Sequence, residues 1–445
     1  MPMNRPFPMH ERCDILIIGA GPAGMAAALA SAPSGAAITV VDDNPQPGGQ
    51  IWRDGPQVAL PPLAQQHRAA LARHANIRVL TGTRVVGLGA RQPTDKAPAL
   101  LLEDADRGWT QHSHRIILCT GARELLLPFP GWTLPGVTGA GALQALIKAG
   151  LHVRGQRIVI AGTGPLLLAA AATATQAGAT VVRIAEQASW ASLAGFAAQL
   201  PRWPAKALQA LPLLHPGLRA STHVLEAQGT TQVQSVRLRK GSSAEETIAC
   251  DRVACGFGLV PNTQLGQLLG CALGGPLSGG QGLAVDAQMH TSVPGVFAAG
   301  ESTGFGGSER ALVQGSIAGH AAAGQMQQAQ ALRPPLVRWE RFAQALQTSF
   351  VLNEALKTLA QPDTLVCRCE DVPYAALVGR QGWIDAKLHT RCGMGACQGR
   401  ICGAATQHLF GWTPAPPRHL LAPARIGTLV ACATGPGSEP VTPPG

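Results

Sequence analysis

Charged residues make up only 13% of this 445-residue chain and aromatic residues 4%, with one tyrosine, Tyr374. Low charge with 46% hydrophobic residues excludes a disordered chain, which needs the opposite balance. No apolar run approaches the roughly 20 residues that span a bilayer, because Gly, Pro or a charge interrupts each one. Nothing at the N-terminus resembles a secretion signal, so the expected location is cytoplasmic and reducing, with membrane contact at most peripheral. Lys and Arg outnumber Asp and Glu by 35 to 25, for a formal charge of +10, but they are scattered singly. Without a basic run or an aromatic-spaced patch, nucleic acid is not an expected partner. An anionic cofactor or an acidic protein explains the charge as well. Neither a Ser/His/Asp set nor paired carboxylates occur at motif spacing, and His290, His320 and His389 each stand alone. No catalytic residue is therefore assigned. No C-x2-C occurs in the chain and no C-x4-C lies on the first helix, where dithiol reductases carry one. Cys13, Cys119, Cys271 and Cys432 are isolated; Cys250 and Cys255 have C-x4-C spacing, but Cys255 lies in a strand-like run and reads as a small core residue.

What remains is an Ala- and Gly-rich α/β chain, with 53 Gly and 35 Pro, long enough for two to three domains. Residues Ile15 to Ile18 read as a strand buried on both faces. Gly19, Gly21 and Gly24 then form G-x-G-x-x-G, with Pro22 and Ala23 opening an Ala-rich helix. Gly19 permits the tight turn and Gly21 lets the backbone approach a pyrophosphate. Gly24 lets helix and strand meet, and the helix N-terminus supplies N–H groups and positive dipole. A second strand, Ile38 to Val41, ends in Asp42 and Asp43, where an acid takes ribose hydroxyls. Framed by both strands, the motif predicts a dinucleotide site. Three more segments identify the ligand as FAD. Gly49-Gln50 follows the acid where flavoproteins run beneath the ring system, and a strand from Arg115 to Cys119 ends in Thr120-Gly121. Gly300-Glu301 follows a late strand and resembles the ribityl-binding motif of two-dinucleotide-domain flavoprotein reductases, whose acid is usually Asp. A helix from Glu309 to Gly319 would aim its N-terminus at the flavin's pyrimidine edge.

Residues Gln156 to Glu186 repeat the pattern: a strand, Gly162-Thr163-Gly164-Pro165-Leu166-Leu167, a helix, and a strand leading to Glu186. Leu167 replaces the third glycine. The repeat predicts a second Rossmann-like fold, with NAD or ATP admitted as a ligand and Gly162, Gly164 and Glu186 as its contacts. The altered turn points to a site that has shifted or lost its nucleotide. Trp190 to Leu218, apolar and broken by Pro, reads as core or a buried subunit face rather than a substrate pocket.

Five of the 11 cysteines crowd into Cys367-Arg368-Cys369 and Cys392 to Cys402, the latter containing a Gly-rich C-x4-C. Thiolates so close together call for a metal. A disulfide does not suit a reducing compartment, and zinc favours C-x2-C spacing, so the favoured reading is an iron–sulfur cluster.

Together with Pro128-Phe129-Pro130-Gly131-Trp132 and Gly304-Phe305-Gly306-Gly307, these motifs resemble one family over nearly the whole chain. It is the larger FAD-binding subunit of heteromeric bacterial amine dehydrogenases: opine oxidases, D-hydroxyproline dehydrogenases and the matching subunit of hydrogen cyanide synthase. The C-terminal motif resembles a bacterioferritin-associated-ferredoxin-like [2Fe-2S] domain. That resemblance implies Cys367, Cys369, Cys397 and Cys402 as ligands, with Cys392 the odd one out and a competitor for the role. It also implies two Rossmann-like domains of the flavoprotein disulfide-reductase kind plus a small helical C-terminal [2Fe-2S] domain. The limits expected are 1–125 with 264–330 for FAD, 126–263 for the NAD-like domain, 331–360 for a linker helix, 361–425 for the cluster and 426–445 for a tail. The implied activity is oxidation of an opine, D-hydroxyproline or D-amino acid on a separate subunit resembling D-amino-acid oxidase. A small ferredoxin-like subunit is a further partner, and electrons are relayed through this chain. Two rival readings are a self-sufficient NAD(P)H-dependent reductase and a cluster-binding sensor or iron-handling protein.

Overall fold

Ile15, Leu16, Ile17 and Ile18 have no polar face to offer water, and they form the buried end of a strand, His10–Ile18, inside a parallel sheet. The computed structural model describes residues 10–56, 60–90, 92, 96–241, 243–277 and 280–433. The first residues of the expected FAD domain and the last of the expected tail lie outside the described residues. Among the described residues the first sheet has seven strands. Ile77–Leu80, Ile38–Val41, His10–Ile18 and Gly108–Leu118 run parallel in that spatial order. Leu100–Glu103 and Arg84–Leu88 continue the sheet antiparallel. The last strand, Val296–Ala298, comes from far along the chain and pairs in parallel with Ile116, Ile117 and Leu118. It finds room because Gly108–Leu118 is long: Leu100–Glu103 occupies only the stretch from Gly108 to Gln111.

The helix that follows this late strand, Gly307–Ala322, packs on the early helix Pro22–Ser31. A Cβ on Gly315 would lie 2.1 Å from the Ala23 carbonyl oxygen, so glycine is what lets the two backbones meet. Ser31 Oγ donates to the Gly319 carbonyl at 3.0 Å across the same contact.

The chain leaves the first sheet at Ala122–Glu124 and returns at Leu259–Pro261, two short strands paired antiparallel. Between them lies a second parallel sheet, in the order Leu218–Arg219, Thr180–Glu186, Arg157–Gly162, Arg252–Gly256, Val137–Gly139, with an antiparallel meander, Thr222–Gln228, Ser235–Lys240 and Ala244–Ala249, beside it. The architecture is mixed α/β with two Rossmann-like folds.

The stretch from Trp190 to Leu218 differs from a core segment. Pro201, Pro204 and Pro212 break it into short helices, and Trp190, Leu208, Leu211 and Leu214 face solvent. Phe196, Leu200 and Trp203 turn inward, Phe196 and Trp203 onto Phe342 of the helix Arg333–Ser349.

Beyond that helix come the hairpin Leu365–Cys367 and Val372–Pro373 and the helices Trp383–Thr390 and Cys402–Phe410. Val366, Leu377, Trp383, Ala386 and Trp412 form their shared core, together with three cysteines. The chain then returns to the first sheet: Leu421 N donates to the Val86 carbonyl at 2.9 Å, and the helix Ile426–Ala433 follows.

Candidate functional site

The turn after His10–Ile18 is shaped by steric necessity. Gly19 has φ +105°, and a Cβ on Gly24 would stand 1.8 Å from the Gly19 carbonyl oxygen. That packing starts the helix Pro22–Ser31 directly at the strand end, with Gly21 as its N-cap and Pro22 in its first turn. Asp42 closes the turn from the neighbouring strand. Its Oδ2 accepts from Ala20 N at 2.6 Å, and its Oδ1 accepts from Asn44 N and Nδ2 at 2.9 and 2.7 Å. Asp43 is exposed, and its pKa is raised by desolvation and then by the charge of Asp42. The carboxylate left open at this strand end is therefore that of Asp43, while Asp42 is engaged with its own chain.

Three other segments converge here. A Cβ on Gly49 would lie 3.0 Å from the Gly21 Cα, so these two glycines face one another, with the exposed Gln50 next in line. Thr120 and Gly121 follow the strand that pairs with His10–Ile18, and no atom lies within 4 Å of where a Gly121 Cβ would point. A Cβ on Gly300 would meet Ala23, which joins the late segment to the first helix. Glu301 beside it is half-buried, and desolvation raises its pKa against the pull of Arg310. Arg310 donates to the Gly304 carbonyl and to Thr303 Oγ1, and Gln314 Oε1 accepts from Gly300 N at 3.0 Å. Arg310 and Gln314 carry no motif, and sequence reasoning missed both. The backbone at Gly21, Gly49 and Gly121 thus borders open space at the C-terminal ends of parallel strands, the place where such sheets take dinucleotides. The residues fit FAD.

The second turn is built the same way but is covered. Glu186 Oε1 accepts from Thr163 Oγ1 at 2.8 Å and Ala188 N at 2.9 Å, and Oε2 accepts from Gly164 N at 2.7 Å. Asp42 makes equivalent bonds, so these alone do not close the site. Residues 350–353 do. Phe350 lies 3.8 Å from where a Gly164 Cβ would be. Gln187 Nε2 donates to the Val351 carbonyl at 2.8 Å, and its Oε1 accepts from Asn353 N at 2.7 Å. The chain therefore runs beside the turn at Gly164 and the residue after the acid, close to where a pyrophosphate and a ribose would lie. Leu167 is fully buried in the core of this fold, in the place of the missing glycine.

The cysteines come together. The Sγ atoms of Cys367, Cys392 and Cys402, all buried, lie within 4.8 Å of one another, about twice a metal–sulfur bond of roughly 2.3 Å. Hydrogen bonds from Cys392 and then Cys402 drop the Cys367 pKa to about 2, while the bond to Cys367 pushes Cys392 up to about 12. Cys402 hydrogen-bonds Cys397, taking it down to about 5, and is itself raised by Cys367, Cys392 and Cys397. Cys397 also contacts the exposed Cys369. These are five sulfurs in one connected set. Their splitting is what crowded thiols do when no cation shares the charge, and the donor set fits a metal or an iron–sulfur cluster. Cys392, expected to stand apart, lies inside the group because its buried side chain packs with Trp383 and Cys367. Elsewhere, burial raises the Cys119 pKa to about 12 and Cys13 and Cys250 to about 11, which leaves those thiols inert.

The Pyridine nucleotide-disulphide oxidoreductase family matches residues 13–331. An opine oxidase subunit from Agrobacterium tumefaciens (strain Ach5) is 30% identical over 93% of this chain and 88% of its own length. Hydrogen cyanide synthase subunit HcnB of Pseudomonas protegens is 32% identical over 87% of this chain and 89% of its own. The chain belongs to this subunit family of the pyridine nucleotide-disulphide oxidoreductases. Its fold is shared with L-proline dehydrogenase from P. horikoshii, at TM-score 0.65 and 17% identity over 94% of this chain and 80% of that one. As a family member the protein is a flavin-dependent oxidoreductase. The disulphide chemistry in the family's name has no counterpart beside the first glycine turn, since the nearby Cys119 is a buried core residue. No helix among the described residues is long and apolar enough to cross a membrane.

Proposed function

We propose that this chain is the FAD- and [2Fe-2S]-carrying subunit of a multi-subunit dehydrogenase that oxidises a secondary amine, an opine, D-hydroxyproline or another D-amino acid. The observation that carries the reading is the buried trio Cys367, Cys392 and Cys402, with Cys397 and Cys369 adjoining, in a chain whose relatives are named as subunits of opine oxidase and hydrogen cyanide synthase. The amine would be oxidised on a partner flavin subunit resembling D-amino-acid oxidase, and a small ferredoxin-like subunit would be a further member. This chain then receives and forwards electrons. FAD would be held by Gly19, Gly21, Pro22, Ala23 and Gly24, by Asp42 and Asp43, by Gly49 and Gln50, by Thr120 and Gly121, and by Gly300 and Glu301. Bound there, it would supply reversible two-electron storage.

Cys367, Cys369, Cys397 and Cys402 are proposed as the cluster ligands, with Cys392, which lies beside Cys367 and Cys402, as the competitor for the role. The discontinuous FAD domain, 1–125 with 264–330, is supported by the pairing of Val296–Ala298 with Gly108–Leu118. Residues 126–263 keep the dinucleotide fold, but admitting NAD or ATP at Gly162, Gly164 and Glu186 requires displacing Phe350 and Val351. That ranks the NAD(P)H-dependent reductase second.

No motif in the sequence supplies the arginine and apolar wall that would hold a substrate's C–H bond against the flavin. The test is anaerobic mixing of opines and D-amino acids with the isolated chain, then with the complex, following flavin and cluster absorbance. Substrate-dependent reduction in the complex alone is the expected result. Rapid bleaching of the isolated chain would place the active site here and overturn the relay.

A further inference from the structure

The cation Arg123 lies between the two cofactor sites on the strand Ala122–Glu124, with each of its neighbours committed elsewhere. Glu124 turns toward the second domain and accepts from Gly141 N at 2.7 Å and Ala142 N at 2.9 Å, capping the helix Ala140–Lys148. Arg123 turns the other way. Its Nε donates to the Arg400 carbonyl at 2.8 Å, inside the loop that joins Cys397 to Cys402. Its Nη1 donates to Asn262 Oδ1 at 3.0 Å and to the Pro261 carbonyl at 3.3 Å. Asn262 in turn donates through Nδ2 to the Thr120 carbonyl at 2.9 Å and accepts from Thr120 Oγ1 at 2.6 Å through its own carbonyl. One chain of hydrogen bonds therefore runs from the FAD cradle at Thr120 to the C-x4-C loop.

All of these partners are neutral. Among the described residues no carboxylate pairs with Arg123. Desolvation and then the like charge of Arg400 bring its pKa down to about 10, and the one group that pulls it back up is Cys397. A desolvated guanidinium without a counter-ion is costly, and proteins keep one where an anion completes it. The anion nearest to hand is in the loop that Arg123 already holds through the Arg400 carbonyl, at Cys397.

We infer that Arg123 is a positioning residue that anchors the Cys397–Cys402 loop to the FAD cradle and serves as the counter-ion of the cysteine cage, favouring its more negative, reduced state. The inference rests on the proposed cluster. Net charge and hydrogen bonds around the sulfurs set the potential of such a centre, so the charge of Arg123 should be read directly in it.

The experiment is a redox titration of the full chain, purified with its cofactors, following the cluster's paramagnetic signal and the flavin absorbance together. Arg123→Gln keeps hydrogen-bonding capacity without the charge, and Arg123→Lys keeps the charge without the fork. The expected result for Arg123→Gln is a cluster whose affinity for an electron falls about tenfold, or about 59 mV for a one-electron couple, with the flavin midpoint unmoved. Arg123→Lys should stay within about threefold of the parent. A cluster lost in Arg123→Gln but kept in Arg123→Lys also supports the charge. Unchanged potential in Arg123→Gln, equal shifts in both variants, or loss of the cluster in both would overturn it, leaving only a packing role. A parent chain that holds no cluster at all fails the proposed function instead, and the two failures are told apart by the parent's spectrum.

Discussion

Five thiols within one small pocket cannot all ionise unless metal shares their charge, so single residues decide how the cage works. The tightest trio of sulfurs is Cys367, Cys392 and Cys402, yet Cys392 stands outside the proposed ligand set. The proposed ligands should therefore respond differently from it. Replacing Cys367, Cys369, Cys397 or Cys402 by Ser is expected to abolish or shift the visible cluster absorption and the reduced-state paramagnetic signal. Cys392→Ser should leave the cluster in place. Iron content and low-temperature spectra of the five variants check this. A cluster lost in Cys392→Ser yet kept in one of the other four would reassign the ligands.

Among the elements, the segment from His419 to Ala433 has the clearest electrostatic dependence. It straps across the edge of the first sheet and is held there by Glu103. That buried carboxylate accepts from Thr428 Oγ1 at 2.6 Å and Arg425 N at 2.8 Å, and pairs with Arg84 at 2.5 Å. Burial alone would raise the Glu103 pKa. The bonds from Arg84, Thr428 and Arg425 outweigh it and bring the carboxyl down from 4.5 to about 2. A depressed carboxylate contributes its stability above the ordinary value and loses it as pH falls toward the folded one. The strap should accordingly loosen between about pH 4.5 and 2. Glu103→Gln should mimic this at neutral pH, at a cost on the order of 2 kcal/mol for hydrogen bonds to a charged group. Amide exchange across residues 419–433 is the measurement, and unchanged protection in Glu103→Gln would refute the assignment.

For the whole molecule, the question is which electrons reach the flavin. Residues 350–353 lie across the second glycine turn, with Phe350 beside Gly164 and both ends of the Gln187 amide tied to the same segment. Hydride delivery from a nicotinamide bound there requires that segment to leave. NADH and NADPH are therefore expected to bleach the flavin no faster than a non-specific reductant in anaerobic stopped-flow, while substrate added to the assembled complex reduces it readily. Fast bleaching by NADH would restore the reductase reading. The exposed Trp190, Leu208, Leu211 and Leu214 show in the same way how tertiary context sets a role: their neighbours Phe196 and Trp203 take the available core, and these four are left outside.

Local rules were enough for much of this protein. The turn at Gly19 to Gly24, the acids at Asp42 and Glu186, and the crowded cysteines could all be read from residue type and spacing, because backbone sterics and thiolate repulsion act between near neighbours in sequence. The sequence also carried the α/β class, since alternating strand and helix signals with glycine turns admit few other layer arrangements. Only the folded chain decided matters between distant segments. It placed Asp42 on its own turn and left Asp43 open, drew Cys392 into the sulfur group, and laid Phe350 over Gly164. It also set Arg123 against the Cys397–Cys402 loop across 277 positions of sequence. None of these has a local signal. Each depends on which side chain reaches a shared space first, and that is settled by packing rather than by pattern.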